Sequence, residues 1–414
     1  MNGRGKEINS IRKFFQDLSD MNKIQPAGRV ANIKEYYFSG KLRELARLNS
    51  EGADIISLGI GGPDRAPSDK VISALQREAA VESNHSYQSY NGLPELRRAF
   101  AEWYERKYGV RLNPENEILP LIGSKEGILH ISLAFLNPGD GVLVPDPGYP
   151  TYTSVSKLVG AEIFKYNLKE ETGWVPDFNE LEKLPLDKIK LMWVNYPHMP
   201  TGRQADMATF QKIVEFGKKH GIVIAHDNPY SFILNDEPKS ILQVEGAKDI
   251  ALEMNSLSKS HNMAGWRVAM VASNPEFISW VLKVKSNIDS GQFKPVMLAA
   301  AEALKLEDEW YDELNREYAG RREVAEKIMD ELECTFDPRQ KGLFLWGRVP
   351  ENVESGEWLA DELFYKAKVF VTPGFIFGEN GQRFIRISLC ATKEKLKESL
   401  RRIKEYNKNR TKRL

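Results

Sequence analysis

The chain has 414 residues, of which 42% are hydrophobic and 28% charged, and its 58 basic and 58 acidic side chains cancel to a formal net charge of zero. That length exceeds what one simple core accommodates, so two domains are expected, while the charge balance gives no reason to expect nucleic acid or an anionic membrane as partner. No stretch approaches the roughly 18 apolar residues of a membrane span, and two cysteines, Cys334 and Cys390, with no secretory segment at the start lead us to expect a cytoplasmic protein without disulfides.

Residues 1–54 hold two short amphipathic pieces, Ile11–Leu18 and Leu42–Leu48, suited to pack on the rest of the chain or on a second subunit. Ile55-Ile-Ser-Leu then runs as an apolar strand into Gly59-Ile-Gly-Gly-Pro-Asp64. Glycine lets backbone approach a ligand closely, although a plain turn has the same composition. The loop Tyr87-Gln-Ser-Tyr-Asn-Gly-Leu leads into a helix at Pro94. Ile118–Ile122 reads as a strand, Gly123-Ser124-Lys125 as a turn, and Glu126–Leu136 as a largely buried helix. A helix start of this kind is an anion site, since unpaired N–H groups and the helix dipole both point at it.

Gly141–Pro145 is the next buried strand, followed by Asp146-Pro-Gly-Tyr-Pro-Thr-Tyr152. An aromatic ring such as Tyr149 at a strand's carboxyl end suits stacking on a heteroaromatic ligand, or simply a place in the core. Further strands are expected at Ala161–Phe164 and Ile189–Val194, with a helical stretch between them. Each strand–helix pair takes about 30 residues, the spacing of βαβ units in a parallel sheet, where a ligand binds outside the carboxyl ends of the strands. After Tyr196-Pro-His-Met-Pro-Thr-Gly202 comes a helix with Phe210, Ile213, Val214 and Gly217 on one stripe. The strand Ile222–Ala225 then delivers Asp227, a carboxylate that is costly there unless it meets a cation or caps the next turn.

The stretch Ser256-Leu-Ser-Lys-Ser-His-Asn-Met-Ala-Gly-Trp-Arg267 lies between the apolar runs Ile250–Met254 and Val268–Ala272. Desolvation at the end of a buried strand lowers a lysine pKa and makes the neutral amine of Lys259 accessible for Schiff-base chemistry. Ser256, Ser258 and Arg267 add hydroxyls and a planar cationic fork that suit a phosphate dianion. Together they suggest a lysine that holds a phosphate-bearing aldehyde, although a bare Ser-Lys pair is more often a surface lysine near a helix end. A helix from Pro275 to about Lys285, a glycine-ended loop to Gly291, and a mostly helical run from Met297 to Leu332 interrupted near Gly320 follow. Gly342–Trp346, Val369–Val371 and Arg383–Ser388 are short strands separated by helices, an α+β pattern. Arg386 sits in an alternating strand where an inward charge needs an anion; a salt-bridged edge-strand arginine is the plainer alternative.

Ser256-x-Ser258-Lys259 followed by Gly265-Trp-Arg267 resembles the pyridoxal-phosphate lysine motif of the class I/II aminotransferases, the aspartate-aminotransferase-like group of fold type I. Further matches continue in the family's order from about residue 55 to 390, and the loop 285–291 resembles the branch containing LL-diaminopimelate aminotransferases. The resemblance implies an α/β fold: a large domain (55–295) with a mostly parallel sheet flanked by helices, and a smaller α+β domain (296–414). Residues 1–54 would form an arm and part of the small domain. It also implies an enzyme that moves an amino group between an L-amino acid and a 2-oxo acid with pyridoxal 5'-phosphate as cofactor.

By the same resemblance Lys259 forms the Schiff base and then shuttles the proton, Asp227 meets the pyridine nitrogen, Tyr230 the phenolic oxygen and Tyr149 the ring face. Ser124, Lys125, Ser256, Ser258 and Arg267 hold the phosphate, joined by Tyr87 from a neighbouring subunit, so a homodimer with shared sites is expected. Gly61 lies beside the substrate and Arg386 binds its α-carboxylate. No metal is expected at this site.

The chain departs from the family in one place. Where relatives read Asn-Pro-Thr-Gly, Met199 stands in place of the asparagine, and a thioether has no proton to donate. The expected consequences are a looser hold on the substrate carboxylate and a higher pKa for the lysine–cofactor imine, with His198 compensating in part. The same fold and residues also serve C–S β-lyases, cyclopropane-carboxylate synthases and decarboxylases. The cofactor-binding domain of a transcription regulator is a third alternative, but it needs a basic DNA-binding module, and neither the composition nor the first 50 residues supply a convincing one. A substrate with a second carboxylate would want a further cation, with Arg65, Lys285, Lys294 or a residue of another subunit as candidates.

Overall fold

The sheet that organises the molecule owes its form to six segments, 118–121, 141–146, 189–195, 223–227, 251–256 and 269–272, buried along most of their length rather than alternating with exposed positions. In the computed structural model, which describes residues 24, 26–31 and 37–411, Gly28–Ala31 form one helical turn of an amino-terminal unit, Met1–Glu35. The expected piece Ile11–Leu18 lies outside the described residues. All other described elements belong to a second unit, Tyr36–Leu414.

The strands in chain order are β1 (Ile56–Ser57), β2 (Ile118–Leu121), β3 (Gly141–Asp146), β4 (Glu162–Asn167), β5 (Ile189–Asn195), β6 (Val223–Asp227), β7 (Ala251–Ser256), β8 (Ala269–Ala272), β9 (Phe344–Arg348), β10 (Val369–Phe370), β11 (Thr372–Pro373) and β12 (Phe384–Ser388). Seven of them form one sheet in the order β2-β8-β7-β6-β5-β3-β4. Every neighbouring pair is parallel except the two that involve β8. Side chains alternate between two cores, as the pleat requires. Val142, Val144, Leu191 and Trp193 face a cluster with Ile128, Ile131 and Phe277, whereas Leu143, Met192 and Val194 face a cluster with Phe100, Trp103, Phe210 and Ile213. The stripe read from the sequence at Phe210, Ile213, Val214 and Gly217 is the buried face of the helix Met207–His220.

A second sheet, β11-β12-β9, is antiparallel and packs on the helices Asp308–Glu331, Gly356–Glu362 and Lys393–Thr411. β1 pairs in parallel with β10, which carries the turn Gly59–Gly62 toward the residues of β12. The segment Leu42–Leu48 belongs to the helix Tyr37–Ser50, which rests on Ile55, Phe364 and Phe370.

Two expectations need correction. The helical run near residues 297–332 breaks between the helices Lys294–Ala303 and Asp308–Glu331, whereas Gly320 sits inside the second helix without interrupting it. An added Cβ at Gly320 would come within 3.0 Å of Lys393 Nζ, so the glycine makes room for the helix Lys393–Thr411 at a modest cost in propensity. Between β4 and β5 the expected helix shrinks to Phe178–Leu181 and a single 3₁₀ turn, because Pro176 and Pro185 limit its extension.

Candidate active site

Because β2, β3, β5, β6 and β7 run the same way, their carboxyl ends open on one edge of the sheet. β8 runs opposite and begins there, which brings in Arg267. The resulting cleft, of about 510 Å³, is lined by Gly61, Ser124, Lys125, Tyr149, Asp227, Tyr230, Ser256, Ser258, Lys259, Arg267 and Arg386. Only one site residue read from the sequence is absent from this lining. Tyr87 is 91% exposed and does not contribute to the cleft of its own chain.

Lys259 stands on the short turn Leu257–Ser260 that caps β7, and its Nζ donates to the Gly61 carbonyl at 2.6 Å. Burial holds this amine below the ordinary lysine value, helped by the Arg267 and Arg386 charges and opposed by Cys390 and Asp227. Asp227 ends β6 and is 5% exposed; its Oδ2 accepts from the Tyr152 hydroxyl at 2.9 Å, while its Oδ1 is buried without a partner among the described residues. Burial pushes its carboxyl up to about 6 against the pull of that hydrogen bond and of the His226 and Lys259 charges. A carboxylate with one bare buried oxygen in a ligand cleft is an acceptor that suits a cationic N–H, as a protonated pyridine would present.

The opposite wall suits an anion. Gly123, at φ 86°, caps the helix Ser124–Phe135, and an added Cβ would overlap the Arg267 guanidinium. Arg267 Nη1 contacts Ser258 Oγ at 3.4 Å, and Ser256 Oγ donates to Ser258 Oγ at 2.8 Å. Helix N–H groups, a fork of guanidinium donors and two hydroxyls thus surround one small volume, which fits a phosphate group.

Arg386 lies on β12, the central strand of its sheet, and is 4% exposed. Its Nη2 donates to the Gly59 carbonyl at 3.0 Å, its Nη1 lies 3.3 Å from Met199 Sδ, and its Nε is buried without a partner among the described residues. The Phe344 ring lies 3.9 Å below the guanidinium. Burial lowers its pKa to about 10, and among the described residues it forms no ion pair. The salt-bridged edge-strand alternative therefore does not hold. Met199 is turned toward this arginine, so its thioether acts as an acceptor for the guanidinium.

The compensation expected from His198 does not arise. It is buried outside the cleft lining with Nδ1 2.9 Å from Thr201 Oγ1, and burial lowers its pKa to about 3. Reading the sequence also missed four contributors. Asn195 ends β5, donates to the Asp227 carbonyl at 2.6 Å and accepts from the Met199 N–H at 2.8 Å, so it ties two strand ends to the loop. Its signal was its place at a strand end. Tyr152, which holds Asp227, stacks on Trp193 and lies three residues after Tyr149, near the start of the helix Pro150–Val159. Phe38 and Leu42 cover the cleft from a helix distant in sequence, for which no local signal exists.

Residues 53–403 match the family model for aminotransferase class I and II. The LL-diaminopimelate aminotransferase of Dehalococcoides mccartyi is 39% identical over 380 residues, covering 91% of this chain and 98% of the relative. That of Aquifex aeolicus is 39% identical over 390 residues, covering 94% and 98%. Among solved structures, substrate-bound BacF from Bacillus subtilis superposes with a TM-score of 0.88 at 36% identity, covering 93% of this chain and 98% of that one. A probable N-succinyldiaminopimelate aminotransferase from Thermus thermophilus gives 0.81 at 33%, covering 88% and 98%. With that family match over most of its length and these relatives, the chain belongs to the class I and II aminotransferases, a family of pyridoxal-phosphate enzymes, and its activity is that of a transaminase.

Proposed function

We propose that the cleft at the carboxyl end of the seven-stranded sheet binds pyridoxal 5'-phosphate and transaminates an α-amino acid against a 2-oxo acid. One observation carries this reading. A lysine amine lowered in pKa by burial and, among the described residues, a carboxylate with a bare buried oxygen and a buried arginine without an ion pair meet in one volume. When bound, the cofactor supplies a ring that accepts the electron pair left on the substrate.

In this reading Lys259 supplies the amine that anchors the cofactor and later moves the proton at the substrate Cα. Asp227, held by Tyr152 and steadied by Asn195, keeps the ring nitrogen protonated, and Tyr149 lies against the ring. Tyr230, whose hydroxyl burial raises well above its ordinary pKa, stays a proton donor toward the phenolic oxygen. Ser124, Lys125, Ser256, Ser258 and Arg267 hold the phosphate, and Arg386 takes the substrate carboxylate bidentately. Tyr87, exposed on its own chain, suits a contribution to the cleft of a second copy in a homodimer.

LL-diaminopimelate, the substrate in the relatives' names, is the first donor to test. A second reading, an amino acid with an apolar side chain, is favoured by the cleft wall of Phe38, Leu42, Ile60, Phe344 and Phe377. Of the cations considered for a second carboxylate, Arg65, Lys285 and Lys294 do not line the cleft; Arg65 pairs with Glu313 and Lys285 with Asp289. Incubating the holoenzyme with LL-diaminopimelate, aspartate, glutamate, phenylalanine and leucine, each with 2-oxoglutarate or pyruvate, tests both readings. Oxo-acid product that needs the acceptor supports transfer, and equal product without acceptor would instead indicate a lyase.

A further inference from the structure

Glu126 and His130 lie one turn apart on the helix Ser124–Phe135 and so share a face. Asp289, on the loop after the helix Pro275–Lys285, meets them, and one ligand atom from each of the three residues lies within 4.8 Å of the others. His130 is 0% exposed, and among the described residues neither of its ring nitrogens has a hydrogen-bond partner; Nε2 lies 3.3 Å from Glu126 Oε1. The remaining carboxylate oxygens are already used. Glu126 Oε2 accepts from the Ile122 N–H at 2.8 Å, and Asp289 Oδ1 accepts from Lys285 Nζ and the Gly291 N–H, both at 2.8 Å. One oxygen of each carboxylate is thereby left over, and Asp289 Oδ2 is buried without a partner.

Buried polar atoms without partners are destabilising unless something satisfies them. A proton on His130 satisfies Glu126 alone, whereas a cation satisfies the imidazole and both carboxylates at once. We propose that Glu126, His130 and Asp289 bind a divalent first-row transition-metal ion. One imidazole nitrogen and two carboxylate oxygens form a borderline-hard set that suits Mn²⁺ through Zn²⁺ rather than a thiolate-seeking ion, and three protein ligands leave positions for water.

The ion would act as a brace. Its ligands join the first two turns of the helix that begins with Ser124 and Lys125 to the loop 285–291. That loop also holds the Tyr87–Tyr90 segment, through Lys285 Nζ to the Tyr90 carbonyl at 3.3 Å and through Gly291 against the Gln88 carbonyl. One ion thus ties together three segments around the proposed phosphate site without touching the substrate.

The test is a Co²⁺ titration of the full-length holoenzyme after dialysis against a chelator, followed by visible d–d bands at longer wavelength than the cofactor's absorption. The expected result is saturation at one Co²⁺ per chain, displacement by Zn²⁺, and affinity weakened roughly tenfold or more in both His130→Gln and Asp289→Asn. Should His130→Gln fail to fold, Asp289→Asn on the loop still decides the matter, as does a Zn²⁺-dependent rise in Tm seen in wild type and lost in that variant. His220→Gln, beside Glu182 at the surface, is expected to bind as wild type does. Bands that do not saturate, variants that titrate like wild type, or loss confined to His220→Gln each overturn the proposal.

Discussion

Replacing Gly123 with alanine separates the energetics of the scaffold from those of the proposed phosphate site. Its backbone, at φ 86° and ψ 150°, lies in a region that side chains avoid, so a methyl group costs about 1–3 kcal/mol of folding stability. The added Cβ also overlaps the Arg267 guanidinium, whose flexible side chain has to swing out of the cleft wall. A charged hydrogen bond of the kind Arg267 offers an anion contributes about 1.5–3 kcal/mol, so its loss weakens pyridoxal-phosphate binding roughly 10- to 150-fold. Gly109→Ala provides the control, because Gly109 also has a positive φ, 65°, but an added Cβ meets nothing within 4 Å. That variant is expected to lose about 1 kcal/mol of stability and no affinity. The assay is a cofactor titration of the apoprotein, followed by absorbance, alongside thermal melts of both variants. Wild-type cofactor affinity in Gly123→Ala, or an equal loss in Gly109→Ala, refutes the reasoning.

Asp227→Asn is expected to stabilise the cofactor-free protein at high pH. The folded pKa of about 6 lies above the ordinary 3.8, so burial favours the protonated carboxyl. Its contribution is complete below about pH 4 and is lost as pH rises through 6, a swing of about 3 kcal/mol. Apoprotein melts across this range are expected to show the variant ahead only at the alkaline end, and parallel curves would count against the assignment. Met199→Asn restores an amide donor beside Arg386 and is expected to lower the pH midpoint of the bound cofactor's absorbance; matching midpoints would sink the idea. Arg386→Lys gives up the contact to the Gly59 carbonyl, the stacking on Phe344 and the planar fork. Amino-acid kcat/KM is expected to fall roughly 10- to 150-fold, mainly through KM, and an unchanged KM contradicts the role given to this arginine.

Much of the cleft was legible because several of its chemical groups stand where an apolar run stops. Asp227, Lys259 and Tyr149 follow buried strands, and a polar residue at such a point has few uses other than a ligand. Arg386 was legible through the cost of an inward charge. What escaped depends on how distant segments meet. The reach of Asn195 to Asp227 follows from the pairing of β5 with β6, where those two residues are register partners. Phe38 and Leu42 arrive through a helix whose position depends on Phe364 and Phe370, far along the chain. Gly320 was misread because its effect depends on a neighbouring helix, whereas glycine propensity alone argues for a break. His198 was misread because the loop after β5 turns its ring away from the cleft toward Thr201.

The account depends most on the amine of Lys259. Borohydride reduction of the freshly purified enzyme, followed by peptide mapping with mass spectrometry, is expected to find one pyridoxyl group per chain, on Lys259. A pyridoxyl group on Lys125 or any other lysine, or none at all, contradicts it.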